Sequence, residues 1–187
     1  IAPKGAALAI LLRIFIVALG TFKPTWIYLL VAVSIVSMTY GNIVAIAQRN
    51  IKRLLAYSGI AQIGNLLIGL AAGTKMGNDA ILFYLLAYLF ANLGAFAVVI
   101  AVSQAIGRDE IEDYRGLGRR SPFLAFSMLL FLLSLAGVPP LAGFIGKLYI
   151  FIAAIKEGLY TLITVGLINI VISMYYYLIV VKQIYIN

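Results

Sequence analysis

Lys147 ends the run Ser134-Leu-Ala-Gly-Val-Pro-Pro-Leu-Ala-Gly-Phe-Ile-Gly-Lys147, a charged amine set beyond a proline pair in otherwise apolar sequence. The chemistry open to such a residue is proton transfer, because desolvation disfavours the charged form of an amine and lets it release a proton as well as hold one. Pro139 and Pro140 remove two backbone donors, and Val138 is pushed out of the helical region by the proline after it. A helix is therefore expected to break at Gly137 to Pro140. Each apolar piece flanking the break, 123–138 and 141–155, is about 15 residues and about 23 Å long, short of the ~30 Å hydrocarbon core. Backbone freed at membrane depth survives only where protein or water satisfies it, and an ionisable residue beside such a break marks a transport path. The alternative is a lysine whose ammonium snorkels to a nearby surface.

Lys4 is the second candidate, following Pro3 and preceding Gly5-Ala6-Ala7, small residues that let other helices approach and leave room for water. Its position fits either a deep or an interfacial lysine. Polar side chains recur at helical spacing in three further places: Ser58, Gln62 and Asn65; Tyr84, Tyr88 and Asn92; Asn169, Ser173 and Tyr176. Three such stripes can enclose a hydrated path joining the lysines, or they can simply hydrogen-bond helices into a bundle. Gly69-Leu-Ala-Ala-Gly73 is a small-residue packing motif. Tyr175, Tyr176 and Tyr177 read in part as an interfacial aromatic belt.

The elements that must position these groups are membrane helices. Hydrophobic residues make up 64% of the 187 and charged residues 11%, against roughly 45–50% apolar in a soluble domain. The fold class is all-α, a polytopic membrane helix bundle of about six segments: 1–19, 25–47, 51–72, 79–105, a proline-broken 121–156, and 158–184. No linker divides the chain, so 1–187 forms one membrane domain. It starts at Ile1 in apolar sequence and reads as an internal piece of a longer protein.

With no histidine and no cysteine, the usual proton shuttle, imidazole or thiol metal ligands, disulfides and thiol catalysis are excluded. All six carboxylates, Asp79, Asp109, Glu110, Glu112, Asp113 and Glu157, fall in loops or at span ends, which argues against a carboxylate cage for a hard cation. No metal site, nucleotide loop or redox centre is expected, and the net charge of +8 has a topological rather than a nucleic-acid explanation. Arg49, Lys52, Arg53, Arg108, Arg115, Arg119, Arg120 and Lys182 fall on one side and Lys23, Lys75 and Lys156 on the other. The positive-inside rule puts the larger group in the cytoplasm, with loops 48–50 and 106–120 on the same face.

Four stretches together carry a resemblance to a known family. They are Gly41-Asn-Ile-Val-Ala-Ile-Ala-Gln-Arg-Asn-Ile-Lys-Arg-Leu-Leu-Ala-Tyr-Ser58, Tyr88-Leu-Phe-Ala-Asn-Leu-Gly-Ala-Phe96, the run from Leu133 to Lys147, and Tyr175-Tyr-Tyr177. Along nearly its whole length the chain resembles the antiporter-like membrane subunits of respiratory complex I. The Asn-Leu-Gly-Ala-Phe run and the lysine at 147, where paralogues carry glutamate, are similar to the subunit N (subunit 2) branch. The resemblance implies a fourteen-helix subunit with two inverted five-helix repeats, each with a broken helix, that moves protons when quinone is reduced elsewhere in the complex. On that match the chain corresponds to helices eight to thirteen. Lys4 then matches the lysine of the eighth helix that joins two half-channels, and Lys147 the terminal lysine of the broken twelfth. The glutamate and lysine that charge the first half-channel would lie upstream. Gln62 departs from a frequent Ser-x-x-His pattern and Asn65 from a frequent tyrosine, which puts a histidine relay at that point in doubt.

The expected function is thus proton translocation by one subunit of a multisubunit NADH:quinone oxidoreductase. The implied NADH, FMN, iron–sulfur clusters and quinone are held elsewhere, and none in this chain. Expected partners are other membrane subunits, including paralogous antiporter-like ones, and the lipid bilayer. The expected location is a bacterial or archaeal inner membrane, or an organellar one. Two alternatives remain: the homologous subunit of a multisubunit sodium/proton antiporter or membrane-bound hydrogenase, and a structural membrane subunit whose polar stripes only pack helices.

Overall fold

The computed structural model describes residues 2–18 and 23–186, with side chains described for 5–15, 18 and 25–186. Among these the only β-pairing is a single bridge between Asn50 and Glu110. The helices are α1 (Ala2–Leu12), continued by a π-helical segment Arg13–Ala18, α2 (Lys23–Ile46), α3 (Ile51–Ala72), α4 (Lys75–Ile106), α5 (Leu117–Arg120), α6 (Pro122–Ala136), α7 (Ala142–Lys156) and α8 (Tyr160–Tyr185). A 3-10 turn, Ile111–Tyr114, precedes α5. Among the described residues four helices are long and apolar enough to cross a membrane, namely Thr25–Ile46 within α2, α3, α4 and α8. With α1 and the α6–α7 pair they account for the six expected segments.

Local chemistry sets the helix ends. Asn50 caps α3 by accepting from the Lys52 and Arg53 amides, and Gly73 closes it in the left-handed conformation at φ 60°. One boundary differs from expectation. α4 begins at Lys75 rather than 79, because the Thr74 hydroxyl accepts from the Gly77 amide at 3.1 Å and starts the helix under a polar turn. The resulting 32 residues reach about 48 Å, so α4 extends beyond the ~30 Å core.

The break falls where the prolines place it. α6 and α7 contain 15 residues each. Between them Gly137 turns the chain at φ 87°, its amide bonding back to Leu133 O and Ser134 O. α7 then folds so tightly onto α6 that a Cβ at Gly143 would lie 1.8 Å from Ser134 O. Only glycine permits that approach.

Buried apolar residues separate into two clusters at opposite ends of the bundle. One holds Ala45 of α2, Leu54 and Leu55 of α3, Val98 and Val102 of α4, Met128 and Leu132 of α6 and Val180 of α8. The other holds Leu30 and Met38, Leu66 and Ile68, Ile81, Ile150 and Ile163. Between the two clusters α2, α3 and α8 bury polar residues: Asn42 on α2, Ser58, Gln62 and Asn65 on α3, and Asn169 and Ser173 on α8. With Lys147 of α7, these residues make a polar layer between two mainly apolar ones.

At the end of the first cluster, loops 48–50 and 106–120 meet directly. The Ile51 amide donates to Asp109 O at 2.9 Å, the Ile111 amide to Arg49 O at 2.8 Å, and the Gly116 amide to Gln183 O at 3.3 Å. Lys52 bonds Asp109 at 2.8 Å and Ser103 at 3.3 Å. These contacts put both loops and the end of α8 on one face, as the distribution of basic residues predicts, and give a cation in the first turn of α3 a partner despite an unfavourable helix dipole.

Candidate functional site

The break leaves the last carbonyls of α6 without helical partners, and Lys147 supplies them. Its ammonium donates to Leu135 O at 2.8 Å and to Ala136 O at 3.1 Å. The side chain is only 3% exposed, so it does not snorkel. A lone charge at the bilayer centre costs about 2.5–3.5 kcal/mol on the insertion scale, and charge-assisted bonds at the negative end of a helix offset that cost. Gly137 makes the seat possible. A Cβ there would stand 3.0 Å from Lys147 Cδ and 3.3 Å from Nζ.

Leu135 O is shared. Gln62 of α3 donates to it at 2.9 Å and reaches the Tyr177 hydroxyl at 3.4 Å. The other end of the same amide accepts from the Tyr84 hydroxyl and from Asn65 Nδ2. Tyr84 is held there by Gly146, where a Cβ would come within 3.0 Å of Tyr84 Cα. Tyr177 also packs against Tyr176, with ring centroids 4.6 Å apart. From Tyr176 the contacts continue, its hydroxyl donating to Asn42 Oδ1 at 3.0 Å. Asn42 Nδ2 in turn donates to Asn169 Oδ1 at 2.9 Å, and Asn169 to Thr39 at 3.4 Å.

Of the residues predicted from sequence, Lys147, Gln62, Asn65, Tyr84, Tyr176 and Asn169 therefore come together, while Ser58 bonds its own helix at Leu55 O, 2.8 Å away. Tyr88 lines a narrow cleft beneath the break with Tyr84, Ser134 and Gly143. Ser173 bonds its own helix, at Ile170 O, and Asn92 Oδ1 is buried with no partner. The side chain of Lys4 lies outside the described residues. Of the three residues read as an aromatic belt, only Tyr175 faces outward, 59% exposed. Tyr176 and Tyr177 are buried, because the helical rotation that turns Tyr175 outward points the next two residues into the bundle.

Sequence reasoning missed Asn42, Tyr177 and Thr39. Asn42 had a legible signal: Trp26, Leu30, Ser34, Met38 and Asn42 recur at spacing four and form the buried ridge of α2. Ser34 caps that packing by donating to Gly64 O at 2.7 Å.

The family model described as NADH:quinone oxidoreductase/Mrp antiporter, TM, matches residues 1–173. The chain belongs to this family. It is 46% identical over 187 residues to NADH-quinone oxidoreductase subunit N of Moorella thermoacetica, covering 100% of this chain and 39% of that relative. The chain thus spans well under half the length of that relative. Among solved structures it is similar to respiratory complex I from Thermus thermophilus with bound aureothin, with a TM-score of 0.75, 36% identity, and coverage of 86% of this chain and 36% of that one. It is similar also to the Mrp complex from Dietzia, with a TM-score of 0.89, 27% identity, and coverage of 97% and 34%. Membership in this family of membrane subunits accords with the apolar helices and makes the chain an integral membrane protein.

Proposed function

We propose that this chain carries the second half-channel of the proton-translocating subunit N of an NADH:quinone oxidoreductase, as helices eight to thirteen of that longer subunit. The observation that carries this reading is the seat of Lys147: an amine sealed between two apolar clusters, held by carbonyls that a broken helix exposes, and continuous with neutral hydroxyls and amides. Such an amine can take a proton from one side and give it to the other, while Gln62, Tyr84 and Tyr177 hydrogen-bond water or each other along the way. Lys4 is proposed as the partner lysine through which the first half-channel connects.

Redox cofactors and quinone belong elsewhere in the assembly, whose other membrane subunits, paralogous antiporter-like ones among them, are the proposed neighbours. A bacterial or archaeal inner membrane is the proposed location. The higher identity to the complex I chain, 36% against 27% for the Mrp chain, favours the oxidoreductase over the related antiporter.

Substituting Lys147→Ala in the intact complex tests the proposal. Proton pumping in proteoliposomes is expected to fall at least tenfold and coupled quinone reductase activity with it. Assembly is retained, since removing a buried charge also relieves its desolvation cost. Normal pumping by a normally assembled variant would make Lys147 a packing residue.

A further inference from the structure

We propose that Gln62 is a positioning residue for Lys147, and that the break requires from it a hydrogen-bond donor rather than a titrating group. The inference rests on the reading of Lys147 as the proton carrier. Its observation is the inequality of the two carbonyls under the ammonium. Ala136 O accepts from Lys147, whereas Leu135 O accepts from Lys147 and from Gln62, at 2.8 and 2.9 Å. A carbonyl oxygen has two lone pairs, so both bonds can be held together.

The consequence appears when the amine moves. A buried carbonyl left without a partner costs about 1–3 kcal/mol, and with Gln62 in place Leu135 O never reaches that state. Lys147 can therefore leave and return against the loss of one exclusive carbonyl instead of two. The amide is pinned in the orientation this needs. Its oxygen accepts from the Tyr84 hydroxyl and Asn65 Nδ2, so a flip that turned the oxygen toward Leu135 O would set two acceptors face to face and break both bonds. Tyr84 is itself fixed by the close approach of Gly146, the residue before Lys147. One short motif thus places both the amine and the clamp on its partner. Among the described residues the titratable groups that face this site are tyrosines, Tyr84 and Tyr88 from α4 and Tyr176 and Tyr177 from α8. α3 brings Tyr57 against the apolar cluster instead, and Tyr149 of α7 points outward.

The test uses the intact complex in proteoliposomes, with pumping rate, pumping pH profile and assembled amount read for each variant. Gln62→Met keeps length and removes the donor, and pumping is expected to fall about three- to tenfold, the effect of one buried hydrogen bond. Gln62→His keeps an N–H donor and is expected to pump within about twofold of the parent, with no new step between pH 6 and 8, where an imidazole in the relay would titrate. Wild-type pumping by Gln62→Met overturns the proposal, as does a His variant no better than Met or one that gains such a step. Should Gln62→Met fail to assemble, Tyr84→Phe removes the pin, with about a threefold loss expected and wild-type pumping again overturning the idea. Failure of the underlying reading looks different: there, Lys147→Ala itself leaves pumping intact.

Discussion

At the scale of single residues, Lys147 and Gly137 form a unit. The lysine needs both carbonyls of the α6 end, and glycine is the residue that turns the chain at φ 87° without entering the space the amine occupies. Gly137→Ala is expected to lower the stability of the complex by about 1–2 kcal/mol through the left-handed backbone alone. It should also reduce pumping by displacing the side chain of Lys147, which thermal unfolding and proteoliposome assays would report separately. Lys147→Arg should fail to restore pumping, because guanidinium keeps its proton at every physiological pH. An arginine variant that pumped normally would show that a fixed positive charge suffices. Lys52→Ala, at the loop end of α3, is the contrast and should have the milder effect.

Helices and loops decide whether that unit survives. α6 and α7 can fold onto each other because Gly143 has no side chain, and a methyl there would meet Ser134 O at 1.8 Å. Gly143→Ala is expected to block assembly rather than to reduce pumping of an assembled complex, as a native gel would show. At the loop face, hydrogen bonds from Lys52 and then Ser103 hold the Asp109 carboxyl below the usual carboxylate range. A carboxyl lowered in this way stabilises the fold above its unfolded pKa, about 3.9 for aspartate, and that contribution is lost as pH falls through the lower folded value. The clasp between the loops should therefore be indifferent to pH from 8 to 5. Spin labels at Arg49 and Glu112 should hold one distance over that range, separate only below about pH 4, and show a broadened distribution at every pH in Asp109→Asn.

For the whole molecule, two outcomes follow from the bundle and its charges. A cysteine replacing Glu112 should react with an impermeant thiol reagent from the cytoplasmic side, and one replacing Glu157 from the opposite side. The reverse labelling would invert the topology. Reconstituted alone, the 187 residues should drive no coupled proton movement, since the described membrane spans carry no carboxylate within the polar layer to load Lys147. Sustained, lysine-dependent uphill transport by this chain alone would contradict the half-channel reading.

Sequence alone determined the number of membrane segments, the place of the break and the common face of loops 48–50 and 106–120, because apolar run length, proline geometry and charge placement are local quantities. It also singled out Lys147, since a charge inside an apolar run is visible without a fold. What only the tertiary structure decided is which polar side chains meet. Gln62, Tyr84, Asn169 and Tyr176 carry the same helical periodicity as Asn92 and Ser173, yet the latter two are joined to nothing in the lysine's surroundings. Periodicity says which residues share a face of one helix. The rotation and crossing of neighbouring helices, set by glycine contacts such as Gly146 on Tyr84, decide what each face touches, and that is why Leu135 O lies under both Lys147 and Gln62.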